Sequence, residues 1–197
     1  MKKLDLILSA VIGFLNGIFF YFILKQVGVT FGFLPFLIIV FPILAVIGML
    51  ITSFLGKKFL FILQAAKFFL VGTLNTFIDL VVLNILILLT QISSGVFYSL
   101  FKTISFLGAT TNSYFWNRFW TFEKRGEENK PKEFAKFFII TIIGLLINVA
   151  VASFVVNKIG PQFGITQKLW ASIGAIVAAF FAFLWNFIAS KFIVFKK

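Results

Sequence analysis

Lys67-Phe68-Phe69-Leu70-Val71-Gly72-Thr73-Leu74-Asn75-Thr76-Phe77-Ile78-Asp79 opens the stretch that decides the fold, and an apolar run carries it on past residue 86. A cation starts it, and the segment behind that cation is longer than a bilayer is thick. At a rise of about 1.5 Å per residue, Asp79 lies roughly 18 Å along the helix from Lys67, near mid-membrane. A carboxylate is costly there, so it faces protein or a wet cavity and is a functional candidate. The stretch returns as Lys136-Phe137-Phe138-Ile139-Ile140-Thr141-Ile142-Ile143-Gly144-Leu145-Leu146-Ile147-Asn148. Lys136 takes the place of Lys67, and Asn148 that of Asp79.

The rest of the composition agrees. The 197 residues are 61% hydrophobic, with a mean hydropathy of +1.09, and several apolar runs are long enough to span a bilayer. Barrel-type alternation is missing, so the spans satisfy their backbone as helices. There is no Cys and no His, and only six acids. Neither a metal site nor a carboxylate-pair hydrolase has much to be built from, and no enzyme and no cofactor is expected. The net charge of +12 is explained by the positive-inside rule and by anionic lipid head groups, so membrane lipids are the expected partners and nucleic acid is not. The first apolar run lacks a small-residue cleavage site and is expected to stay as a span.

The sequence predicts an all-α integral membrane protein with six transmembrane helices, at about residues 6–24, 33–55, 61–89, 98–120, 134–156 and 169–192. An N-terminal helical hairpin, 1–60, precedes a four-helix domain, 61–197. That domain consists of two parallel two-helix repeats, 61–122 and 134–195, joined by a charged loop, 123–133, that reads as solvated. With the amino terminus inside, fourteen Lys and Arg are cytoplasmic and four, Lys25, Lys102, Lys158 and Lys168, face out. The bias predicts a cell-membrane protein with both termini and the 123–133 loop in the cytoplasm.

The duplication covers two helices. The second helix of each repeat starts with Lys and then Gly-Ala: Lys102 with Gly108-Ala109, Lys168 with Gly174-Ala175. Each ends in a basic aromatic tag, Asn117-Arg118-Phe119-Trp120-Thr121-Phe122 and Ser190-Lys191-Phe192-Ile193-Val194-Phe195. Even span numbers per repeat put both the same way up. Together with Gly72-x-Leu74-Asn75-Thr76-x-Ile78 after Lys67-Phe68, these tags resemble the GtrA-like family over about residues 61–197. The resemblance implies small four-span proteins linked to polyprenyl-phosphate sugars in cell-surface polysaccharide glycosylation. It implies translocation, or flipping, of an undecaprenyl phosphate-linked sugar across the cytoplasmic membrane, with a polyprenyl-phosphate glycosyltransferase as partner. It says nothing of the first two spans.

Such a cargo needs cations for its phosphate, polar groups for its sugar and an apolar lateral opening for its tail. Arg118 and Lys191, matched at the inner ends of the fourth and sixth spans, and Lys67 and Lys136, matched at the inner starts of the third and fifth, are the candidate phosphate ligands. Arg118 suits bidentate contact and is expected at the membrane edge beside Asn112, Ser113 and Asn117. The plainer account is that all four anchor the positive side by snorkelling. Gly72, Asn75, Thr76 and Asp79 share one helix face. Ser105, Gly108 and Asn112 make a stripe on the fourth span, Thr141, Gly144 and Asn148 on the fifth, and Trp185 with Asn186 and Ser190 makes a polar lower part on the sixth. These stripes could line a sugar path, or Gly and Thr could serve packing and Asn could pair between helices. Trp116, Trp120, Trp170 and Trp185 read as interfacial belt residues. The alternative function is a non-transporting anchor or regulatory subunit of the glycosyltransferase, docked through the 123–133 loop. Four helices are few around a bulky cargo, so a homodimer is a further expectation.

Overall fold

A computed structural model of the chain describes residues 2–26, 31–92, 95–123, 130–164 and 167–196. Among these residues there are helices and turns and no strand. With no water in hydrocarbon to satisfy the backbone, each apolar segment closes its hydrogen bonds on itself. The first helix, α1, is Lys3–Gln26. A short 3-10 turn at Leu34–Phe36 leads into α2, Leu37–Gly56. The long α3 is Leu60–Thr90, and α4 is Gly95–Trp116. Lys130–Ser153 forms α5, and Gln167–Ala189 forms α6. Three of the helices change their winding at the end: α4 continues as a π-helical turn over Asn117–Thr121, α5 over Phe154–Ile159 and α6 over Ser190–Val194.

Among the described residues, five helices are long and apolar enough to cross a membrane: Lys3–Lys25, Leu34–Gly56, Leu60–Thr90, Pro131–Val151 and Val177–Val194. The protein is therefore a multi-pass membrane protein. The expected fourth span, α4, is not among the five. It carries Ser105, Thr110, Thr111, Asn112 and Ser113 in close succession, and these side chains lower its hydropathy.

The chain divides into two compact units, Met1–Glu123 and Lys124–Lys197. In the first, the backbones of α1 and α2 touch. A Cβ on Gly13 would lie 2.5 Å from Pro42 Cα, and one on Gly17 would lie 2.7 Å from the Leu37 carbonyl oxygen. Gly13-x-x-x-Gly17 is the small-residue spacing that lets membrane helices approach this closely. Ile12, Met49, Val71, Leu74 and Trp120 then form one buried cluster drawn from α1, α2, α3 and the turn after α4. Packing of α1 and α2 onto α3 is therefore integral to this unit.

In the second unit α5 packs on α6. Gly144 sits where a Cβ would collide with the Asn186 side-chain amide. The Trp185 indole N–H donates to the Ile140 carbonyl (3.0 Å). Each unit contains the same local device. Phe68 meets Phe122 at 6.1 Å between ring centroids, and Phe137 meets Phe195 at 5.9 Å. The Phe122 N–H donates to the Asn117 carbonyl (2.9 Å), and the Phe195 N–H to the Ser190 carbonyl (2.8 Å). These bonds span five residues, which is what makes the tags π-helical.

Candidate functional site

Lys67, expected as an inner-face cation, is buried at 2% exposure. Its Nζ lies 2.6 Å from Asp5 Oδ1 and 3.6 Å from Glu123 Oε1. It also donates to the Trp120 carbonyl (3.5 Å) and stands 5.5 Å from the Trp120 ring centroid. Asp5, in the first turn of α1, is equally enclosed. Its Oδ1 accepts the Trp120 indole N–H (3.1 Å), and its Oδ2 accepts the Lys2 backbone N–H (3.1 Å). A buried ion pair survives only when further hydrogen bonds satisfy both charges, and here they do. Outside the spans, Lys2 Nζ pairs with Glu123 Oε2. The hydrogen bond from Lys2 holds the Glu123 carboxyl below its ordinary value of 4.5, against the burial that raises it.

Neither Asp5 nor Trp120 was expected in this role. Trp120 is not an interfacial belt residue: it is 4% exposed, because its indole N–H has a carboxylate to satisfy inside the protein. The signal for Asp5 was available, since an acid one turn into an apolar span requires a partner, and Lys67 is a cation in the third span.

Arg118 is 1% exposed, so it lies inside the unit. Its Nη1 donates to the Tyr114 hydroxyl, one turn earlier on α4, at 3.0 Å. Its guanidinium carbon stands 6.0 Å from the Tyr114 ring centroid and 5.8 Å from that of Phe119. Asn117 is buried beside it in sequence, and its Nδ2 donates to the Ser113 carbonyl (2.9 Å) and hydroxyl (3.2 Å). Asn117 Oδ1 and Thr121 Oγ1, both on the π-helical turn, are buried with no hydrogen-bond partner among the described residues.

The polar stripes of α3 and α4 meet. Asn112 Nδ2 donates to Asn75 Oδ1 (2.9 Å), while Asn75 Nδ2 donates to the Val71 carbonyl (2.6 Å). One turn further along α3, Ser105 Oγ donates to Asp79 Oδ1 (2.6 Å). Two polar rungs therefore link α3 and α4 among the described residues. Gly72 and Thr76, expected on the same face, are exposed, and the Thr76 hydroxyl turns back to the Gly72 carbonyl (3.1 Å). Positions i, i+3, i+4 and i+7 fan out over a broad arc of a helix, and only part of that arc fits against α4.

In the second unit Lys136 is exposed and Lys191 half-buried, its Nζ 5.5 Å from the Phe192 ring centroid. Asn148 is half-buried. Thr141 Oγ1 caps the Phe137 carbonyl (2.9 Å). Asn186 Oδ1 is buried without a hydrogen-bond partner among the described residues. The charged loop over 124–129 lies outside the described residues, as do the side chains of Lys102, Lys168 and Trp170.

The model of the GtrA/DPMS transmembrane domain matches residues 67–195. The chain belongs to this family. No curated protein and no solved structure matches the chain. The GtrA/DPMS match opens at Lys67 and closes at Phe195, so it contains both tags and both polar rungs. It leaves out α1 and α2 and with them Asp5. Against the GtrA/DPMS helix α3, α1 and α2 form a lateral groove of roughly 510 Å³ with an almost wholly apolar wall. Its polar lining residues are Asn16, Thr52 and Thr73; Asn16 Nδ2 donates to Thr73 Oγ1 (3.0 Å), and Asn16 Oδ1 is buried without a partner among the described residues.

Proposed function

We propose that the chain translocates a polyprenyl phosphate-linked sugar across the cytoplasmic membrane, for cell-surface polysaccharide glycosylation. Family membership supports the lipid-sugar class. The observation that carries translocation is the pair of polar rungs, Asn75–Asn112 and Asp79–Ser105, inside helices at membrane depth. An anchor has no use for a carboxylate in hydrocarbon, whereas a sugar needs donors and acceptors where water is absent. In this reading Asn75, Asp79 and Asn112 exchange their mutual hydrogen bonds for sugar hydroxyls. The groove beside α3 takes the apolar tail.

The phosphate keeps its charge and stays with cations near the interface. Lys67 and Arg118 are the proposed ligands in the first unit, and Lys136 and Lys191 in the second. Asn117, Asn148 and Asn186 supply further amides within their own units. The chain is proposed to cross six times, with α4 among the spans, and to repeat one two-helix element. Both termini are proposed to be cytoplasmic. The glycosyltransferase that charges the lipid is the proposed protein partner, and a second copy of the chain would add wall around the cargo. No catalytic step is assigned.

Reconstitution into liposomes with a short-chain polyprenyl-phosphate sugar tests this. The expected result is sugar-lipid on the far leaflet, slowed by Asp79→Asn and by Asn112→Ala. If no sugar crosses, and adding the protein instead restores activity to the glycosyltransferase, the chain is a helper subunit.

A further inference from the structure

We propose that Lys67 and Trp120 form an anion-binding pocket of the GtrA/DPMS domain, that its ligand is a phosphate group, and that Asp5 fills it from within the chain. The Lys67 ammonium and the Trp120 indole N–H come from different elements, α3 and the turn after α4. They converge on one oxygen, Asp5 Oδ1, at 2.6 and 3.1 Å. Two buried donors aimed at one point define a seat for one anionic oxygen. Both donors lie within residues 67–195, and the acceptor lies outside them. The family domain thus contributes the pocket, and the N-terminal hairpin contributes the occupant.

A carboxylate oxygen and a phosphate oxygen are alike as acceptors: each takes short, charge-assisted bonds from an ammonium and from a neutral N–H. A phosphate monoester brings more oxygens and up to two charges. Beside the seat stands Glu123, its Oε1 3.6 Å from Lys67 and its charge paired with Lys2. Exchange of Asp5 for a phosphate replaces one buried pair by another, so Lys67 is never left charged and alone. Asp5 is two residues from the start of α1, so it reaches head-group water by a small movement of the first turn. This inference rests on the lipid-phosphate reading above and adds the ligand's seat and its internal competitor.

The test uses the full chain in nanodiscs of zwitterionic lipid, with Trp116, Trp170 and Trp185 replaced by Phe so that Trp120 alone emits. Farnesyl phosphate, inorganic phosphate and farnesol are titrated separately. Farnesyl phosphate is expected to give a saturable change in emission and farnesol none. If Asp5 occupies the pocket in about nine molecules of ten, Asp5→Asn tightens the apparent Kd roughly tenfold. Lys67→Gln abolishes the response. An equal response to inorganic phosphate supports the pocket and assigns it to free phosphate instead of lipid. An equal response to farnesol overturns the proposal, as does an unchanged or weaker affinity in Asp5→Asn. Should Asp5→Asn not fold, hydrogen exchange over residues 3–9 of the chain with Asp5 retained decides: exchange must rise with farnesyl phosphate, and unchanged exchange overturns the proposal. A tighter Asp5→Asn variant in a chain that moves no sugar would keep the pocket and remove translocation.

Discussion

Lys67 is held by a carboxylate, a carbonyl and an indole ring at once. Lys67→Met leaves Asp5 charged in a dry site and is expected to cost about 3–5 kcal/mol. The double variant Asp5→Asn, Lys67→Met recovers much of that loss, because both charges are gone. Thermal unfolding in detergent of the four members of this cycle reads the difference. Glu123 gives a pH signature. Its folded value lies below 4.5, so its pairing with Lys2 is complete at neutral pH. That contribution fades as pH falls from 4.5 through the folded value. Asp5 faces Glu123 across Lys67 and opposes its ionisation. Hydrogen exchange at the start of α1 should therefore rise on acidification below 4.5, and Glu123→Gln should show the faster exchange already at about pH 7. At this scale the sequence was partly legible. Lys67, Arg118, Asn75, Asp79 and Asn112 are visible because polar residues in apolar runs stand out. The Tyr114 partner of Arg118 is one turn away, whereas the meeting of Lys67, Asp5 and Trp120 joins segments far apart in the chain, and no local pattern marks it.

Helix ends and helix faces decide how far those residues can be read. The equal twelve-residue spacings from Lys67 and Lys136 describe α3 and α5 well as sequence. Which side of α3 meets α4 depends on shape, and the face containing Gly72 and Thr76 turned away. The rungs make a measurable prediction: a double-mutant cycle of Asn75→Ala and Asn112→Ala should give a coupling of about 0.6–2 kcal/mol. The Gly13-x-x-x-Gly17 spacing was a legible signal that the composition of the first span concealed. Gly13→Leu and Gly17→Leu each force α1 off α2 and should destabilise the first unit by about 1–3 kcal/mol or more. The same change at Gly48, where a Cβ meets nothing within 4 Å, should be nearly silent. A result with all three equal would remove the account of the α1–α2 contact. The π-helical ends of α4 and α6 are not legible at all, because winding by five residues leaves no compositional mark.

Across the whole molecule, hydropathy reports membrane residence and number of crossings better than it reports association. Among the described residues it marks five helices and passes over α4, whose polar residues serve its partner α3. The proposed sixth crossing, with the cation bias, predicts cytoplasmic termini and a cytoplasmic 123–133 loop. The chain has no native Cys, so a Gly126→Cys variant can be labelled cleanly. An impermeant reagent outside intact cells should leave it unlabelled, and labelling from that side would invert the topology.

The contacts of α1 also set an order of events during synthesis. Asp5 is made well before its indole partner, 115 residues later, as Lys2 is before Glu123, 121 residues later. While the first helix enters the membrane, neither exists, and Asp5 has to wait at the head groups where water can hold its charge. The first turn of α1 is thus made long before the residues that lock it. A bulky group attached at Lys2 would obstruct that final step.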